Sequence, residues 1–129
     1  MKVCIDTNAY SRLMLGHAPL KDLLESVDEI LVPATVLGEL HAGFELGSRC
    51  QANREQLASF LSQPGVDRAV VDDGVAERYG SLVSQLSRAG TPIPTNDIWI
   101  AAAAMECGAR LVSYDAHFVS VPGLLVLAP

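Results

Sequence analysis

With 129 residues, half of them hydrophobic and only 5% aromatic, the chain has the length of one domain built on a mostly aliphatic core. It carries no repeat, low-complexity tract or long charge run, which argues against a disordered or fibrous protein, and no apolar run approaches the ~18 residues of a membrane span. A net charge of −6 counts against a partner held by electrostatics alone, nucleic acid included, unless several acids are committed to a cation.

Val3-Cys4-Ile5 is a short apolar run that ends abruptly at Asp6, as a strand buried on both faces would. Asn8 to Leu15 is expected to be a helix ended near Gly16, and Pro19 opens a second helix from Leu20 to Val27. Glu29 to Pro33 reads as the second strand. Ala34 to Leu46 then follows as a helix with Val36, Leu37, Leu40 and Phe44 on one face, closed by Gly47. Arg49 to Leu61 is another amphipathic helix, stopped by Pro64-Gly65. Ala69-Val70-Val71 is the expected third strand, with Asp72 or Asp73 capping a helix from Gly74 to Arg88. After a rigid loop from Gly90 to Pro94, the helix Thr95 to Cys107 is apolar nearly all round and should be buried. Arg110 to Tyr114 and Leu124 to Leu127 supply the last strands. Alternation of this kind predicts βαβ units with right-handed crossovers, in an α/β/α sandwich around a mostly parallel sheet of about five strands.

Met1-Lys2 leads straight into a strand, so no signal peptide is expected. Cys4, Cys50 and Cys107 are odd in number and lack a CxxC, which disfavours a disulfide framework or a zinc site and fits a reducing cytoplasm.

In a parallel sheet the chemistry sits beyond the carboxyl ends of the strands, so Asp6 would stand at the rim of a site. Taken alone it reads more readily as a helix N-cap than as a catalytic acid. Glu39 lies on the flank of its helix's apolar stripe, where a solvated glutamate is ordinary. Gly38 and Gly43 beside it are poor helix formers, and their presence suggests close packing against another element. Asp97 opens the most hydrophobic helix, where it complements the dipole, although Thr95 and Asn96 already offer capping groups. Asp115 follows its strand as Asp6 follows its own, or is a plain turn residue. Together these acids would crowd at one edge, and crowded carboxylates call for a cation or a proton. A hard ion such as Mg²⁺ is commonly held in this way, and it can activate water against a phosphodiester.

Ile5-Asp6-Thr7-Asn8, Gly38-Glu39-Leu40 with Gly43, Asn96-Asp97-Ile98-Trp99-Ile100-Ala101-Ala102 and Leu111-Val112-Ser113-Tyr114-Asp115-Ala116-His117-Phe118 together resemble the PIN-domain nucleases, in particular the VapC-type toxins of bacterial toxin–antitoxin pairs. No block is specific by itself; the four run in the family's order across essentially the whole chain. The resemblance implies one PIN-like domain and a Mg²⁺- or Mn²⁺-dependent endoribonuclease with Asp6, Glu39, Asp97 and Asp115 as its acidic, metal-holding quartet. It implies supporting roles near the metal for the Thr7 and Ser113 hydroxyls, and an orienting role toward the acids for Asn8 and Asn96. The expected products are a 5′-phosphate and a 3′-hydroxyl, from tRNA or another structured RNA. The expected partners are a second copy of the chain and a small antitoxin whose tail fills the groove around the acids. Ser113 stands where threonine is frequent, and Tyr114 where a basic or polar residue is common; both departures bear on substrate preference rather than catalysis.

Arg12 is the one cation near the first acid, either contacting RNA phosphate or solvated on a helix leading away. His41 falls on a different face from Glu39 and is not assigned as a ligand. His117 is expected in a surface loop, and Trp99 in the core. An Asp-phosphorylating phosphatase would show a DxD pair, and Asn8 occupies its second position. A DNA-flap nuclease should carry more than nine Lys and Arg. The alternative to an enzyme is an inactive PIN-like RNA-binding or regulatory module, against which the full quartet argues.

Overall fold

A computed structural model describes residues 1–129. Its sheet contains β1 (Lys2–Ile5), β2 (Glu29–Pro33), β3 (Val66–Ala69), β4 (Arg110–Val112) and β5 (Val126–Leu127), in the order β3-β2-β1-β4-β5. Every neighbouring pair is parallel. The helices are α1 (Thr7–Met14), α2 (Ala18–Ser26), α3 (Ala34–Leu46), α4 (Cys50–Leu61), α5 (Asp73–Arg88) and α6 (Thr95–Glu106).

Val3, Cys4 and Ile5 are all at 0% exposure. Successive strand residues point to opposite faces, so helices must cover both sides of β1, as the unbroken apolar run predicted. Burial also pushes the Cys4 thiol up to about 12, with Cys107 raising it further and Lys2 opposing, so this cysteine stays protonated in the core. From β1 the chain winds one way to β2 and β3, and later returns on the other side to β4 and β5. The direction of winding therefore reverses between β1 and β4, and a crevice opens at their carboxyl ends.

Helix α6 matches its pattern: Ile98, Ile100 and Ala101 through Ala104 are buried. Trp99 is half-buried and stacks on Tyr79 of α5, with ring centroids 3.8 Å apart and planes 10° apart. Gly108 leaves α6 at φ +66°, a left-handed turn that favours glycine, and the chain enters β4 two residues later. No helix is long and apolar enough to cross a membrane.

Several boundaries differ from expectation. Strand β3 covers Val66–Ala69 rather than residues 69–71, because its ladder to β2 pairs Ile30 with Val66 and Pro33 with Ala69. Val70 and Val71 lie beyond it at 67% and 49% exposure. As an edge strand, β3 tolerates the exposed Asp67 and Arg68. Strand β4 stops at Val112, two residues short of Tyr114, and β5 begins at Val126 rather than Leu124. A 3-10 turn over Ala116–Ser120 follows β4, in a stretch where no element was expected.

Candidate metal centre

Strands β1 and β4 bring two stretches of the sequence side by side. Ile5 registers with Val112, and the ladder continues one bond further, from the Asp6 N–H to the Val112 carbonyl at 3.3 Å. Asp6 and Ser113 therefore emerge as neighbours at the crevice. Asp6 is indeed the N-cap of α1: its Oδ1 accepts from the Ala9 N–H at 2.8 Å. Capping uses one carboxylate oxygen only. The other, Oδ2, accepts from the Ser113 hydroxyl, and the whole residue is 4% exposed.

The Ser113 hydroxyl works twice, since its oxygen also accepts from the Asp115 N–H at 3.0 Å. This fixes the turn that ends β4 early and sets Asp115 at the rim. Asp115 in turn caps the 3-10 turn, its Oδ1 accepting from the His117 N–H at 2.9 Å. From α3, Glu39 reaches the same region, where the Thr7 hydroxyl donates to its Oε1 at 2.8 Å. Asp97 stands in the first turn of α6 with Oδ2 2.9 Å from His117 Nδ1, while Asp115 Oδ1 lies 3.3 Å from the same nitrogen. Asp97, Asp115 and His117 thus each offer a ligand atom within 4.8 Å of the others, while Asp6 stands close enough to feel the charges of Asp97 and Asp115, and Asp97 to feel that of Glu39.

The electrostatics agree with the geometry. Burial, the largest cause, pushes the Asp6 carboxyl above the ordinary aspartate range; the bonds from Ser113 and Ala9 oppose it, and the charges of Asp115 and Asp97 push it further up. Asp97 is likewise raised, by burial first, with His117 opposing and Asp115 and Glu39 adding repulsion. Such mutual repulsion is what a bound cation relieves. The donors are carboxylate oxygens with one imidazole beside them, a set that fits a hard divalent ion such as Mg²⁺ or Mn²⁺. Helix α6 begins at Pro94 without a side-chain cap, and Asp97 in its first turn complements the positive end of its dipole.

Some expectations need correction. Thr95 and Asn96 do not cap α6; Pro94 holds that position. Asn8 and Asn96 are exposed, and the bonds to the Asp6 and Asp97 side chains come from Ala9, Ser113 and His117. Gly38 and Gly43 are exposed on α3, and a Cβ added at either would meet nothing within 4 Å, so they mark an open helix face rather than close packing. His117 is exposed, as a surface histidine just past Asp115 would be, and its ring also belongs to the cluster. Its spacing two residues after Asp115 was the available signal, and the 3-10 turn is what converts it into proximity.

Arg12 is also closer than a helix leading away suggests. Its guanidinium lies over the Tyr114 ring, 4.0 Å from the centroid, and the Tyr114 hydroxyl donates to the Pro129 carbonyl at 3.0 Å. His41 packs edge-on against Phe44 of its own helix, apart from the acids. The largest cavity, about 570 Å³, is lined by Leu24, Val27, Phe60 and Pro64 at the amino ends of β2 and β3, opposite the acidic crevice.

Comparison with known proteins places this geometry. The PIN domain model matches residues 3–124. Ribonuclease VapC4 of Mycobacterium tuberculosis is 30% identical over 96 residues, which make up 74% of this chain and 74% of that protein. Ribonuclease VapC5 of the same organism is 28% identical over 103 residues, 75% of this chain and 76% of that one. Among solved structures, VapBC2 from Rickettsia felis bound to a DNA fragment from its promoter superimposes with a TM-score of 0.88 at 26% identity, covering 98% of both chains. With the family match running from β1 to the turn before β5, and acids from all four blocks gathered where β1 and β4 part, this chain belongs to the PIN-domain family.

Proposed function

We propose that the chain is a metal-dependent endoribonuclease, the VapC-type toxin of a toxin–antitoxin pair. One observation carries the proposal: four acids distant in sequence converge at the carboxyl edge of a parallel sheet, in a chain of the PIN family. The relatives named as ribonucleases support RNA as the substrate. Asp6, Glu39, Asp97 and Asp115 would hold Mg²⁺ or Mn²⁺, which when bound activates water and offsets charge on the scissile phosphate.

The protein's own residues prepare that chemistry. Thr7 holds Glu39 and Ser113 holds Asp6, so two carboxylates are oriented in advance. The reaction forms a bond from the water oxygen to phosphorus and breaks the bond from phosphorus to the 3′-oxygen, which leaves as a hydroxyl. Arg12 uses the face of its guanidinium on Tyr114, which leaves edge N–H donors for an RNA phosphate. Asn8 and Asn96, exposed next to their acids, are available to substrate. The VapBC neighbours support an antitoxin partner and assembly into a toxin–antitoxin complex, in which we take the chain to act as a pair of copies, and an RNA substrate fits a cytoplasmic site of action.

The test is cleavage of a total small-RNA pool by purified, antitoxin-free protein, with Mg²⁺, with Mn²⁺ and with EDTA, alongside Asp97→Asn. Cutting should need metal and fall by a factor on the order of 10²–10³ in the variant, as for loss of one transition-state electrostatic contact. Cutting that survives both EDTA and the substitution would overturn the site. No cutting by a folded protein under any condition would replace the enzyme with a binding module.

A further inference from the structure

The quartet is an all-oxygen set, yet the residue closest to two of its members is a histidine. His117 Nδ1 lies 2.9 Å from Asp97 Oδ2 and 3.3 Å from Asp115 Oδ1. An octahedral ion with bonds of about 2.1–2.2 Å places adjacent ligand atoms about 3 Å apart. The nitrogen is therefore spaced from each carboxylate oxygen as a neighbouring ligand would be, and the three residues each offer a ligand atom within 4.8 Å of the others.

The imidazole is also held where it is. The His117 N–H is bonded to Asp115 Oδ1, and the next residue, Phe118, is anchored in the core at 2% exposure. The 3-10 turn thus clamps the backbone on both sides of the ring. The other acids have different attachments: Asp6 is satisfied by Ala9 and Ser113, and Glu39 by Thr7. Asp97 has His117 as its only hydrogen-bond partner.

Resting on the reading of this cluster as a metal centre, we propose that His117 supplies an imidazole nitrogen ligand to the ion held by Asp97 and Asp115, and that this nitrogen biases the site toward Mn²⁺ over Mg²⁺. The chemical reason is donor preference. Mg²⁺ takes oxygen ligands almost exclusively and loses its waters reluctantly. Carboxylates suit both ions; Mn²⁺ stands lowest among the first-row metals in affinity for nitrogen, yet as a transition metal it accepts an imidazole more readily than Mg²⁺ does. A mixed set of carboxylate oxygen and one neutral imidazole separates ions that an all-carboxylate site treats more evenly.

A competing role gives the opposite sign. As a charged counter-ion filling the site, His117 would have to be displaced by any cation, and its removal would tighten binding of both ions. The experiment measures binding of each metal alone to wild type, His117→Gln and Asp97→Asn by calorimetric titration, with pulsed electron paramagnetic resonance of the Mn²⁺ complex. Expected for His117→Gln is a loss of Mn²⁺ affinity of roughly tenfold or more, in the range over which residues around a metal alter affinity, with a smaller change for Mg²⁺. Expected for wild type is modulation from a directly bound nitrogen, absent in the variant. Unchanged or tighter Mn²⁺ binding in His117→Gln, without nitrogen coupling in wild type, overturns the ligand role while leaving the metal centre standing. Failure of wild type to bind either ion more tightly than Asp97→Asn overturns the metal centre itself, and this proposal with it.

Discussion

Ser113 shows how much of the site hangs on one small side chain. Its hydroxyl donates to Asp6 Oδ2 and accepts from the Asp115 N–H, so it joins the acid of β1 to the acid beyond β4. At 1% exposure it leaves no room for water to replace it. Ser113→Ala should therefore strip one partner from a buried carboxylate and one from a backbone N–H, costing about 1–3 kcal/mol in a urea or thermal denaturation. An unchanged midpoint would mean that neither bond matters to the fold. At this scale the sequence was unevenly legible. Asp6 and Asp115 stand out because each ends an apolar strand, and Asp97 because it opens an apolar helix. Glu39 carries a weaker mark, its place on the flank of an apolar stripe beside two glycines, and stands out chiefly through the family pattern. His117 was visible as a residue but not as a neighbour of Asp97, since a contact across twenty positions depends on how a 3-10 turn lies against α6.

Among the elements, α3 combines a useful position with a poor helix sequence. It begins directly at the end of β2, which carries Glu39 to the crevice, yet Gly38 and Gly43 interrupt it on an exposed face. Gly43 lies four residues beyond Glu39, and a methyl there meets open space. Gly43→Ala should raise stability by about 0.5–1 kcal/mol, through lower entropy of the unfolded chain, and leave RNA cleavage unchanged. A loss of stability measured by thermal denaturation would show that the face is not free. The helices were readable because long periodic segments carry their own signal, and α3 keeps the bounds expected of it. Strand β3 was not, because Val70-Val71 is locally the better strand former. Its actual span is chosen by pairing with β2, a tertiary choice that four residues of sequence cannot announce.

Over the whole molecule, the parallel topology concentrates negative charge at one edge, and the metal-free fold bears the repulsion. Asp6 is the most buried member of the quartet, and its carboxyl is raised above the ordinary range chiefly by that burial. Because its folded value exceeds its unfolded one, the folded state carries the full cost of the buried charge at neutral pH. As pH falls through the raised value, the folded chain takes up a proton before the unfolded chain does, and the cost is relieved. Asp6→Asn removes the charge at every pH and keeps an N-cap that accepts from Ala9, while the buried-charge cost it relieves is set against the loss of the oxygen that accepts from Ser113. In EDTA at neutral pH the variant should therefore melt above wild type, and the gap should close as the pH is lowered through the raised Asp6 range. Saturating Mn²⁺ should close it from the other side, by stabilising wild type through binding that the variant has lost. A melting gap that stays constant across pH, and that metal does not move, would mean that Asp6 is held by its hydrogen bonds as an ordinary cap and that the fold bears no repulsion for a cation to relieve.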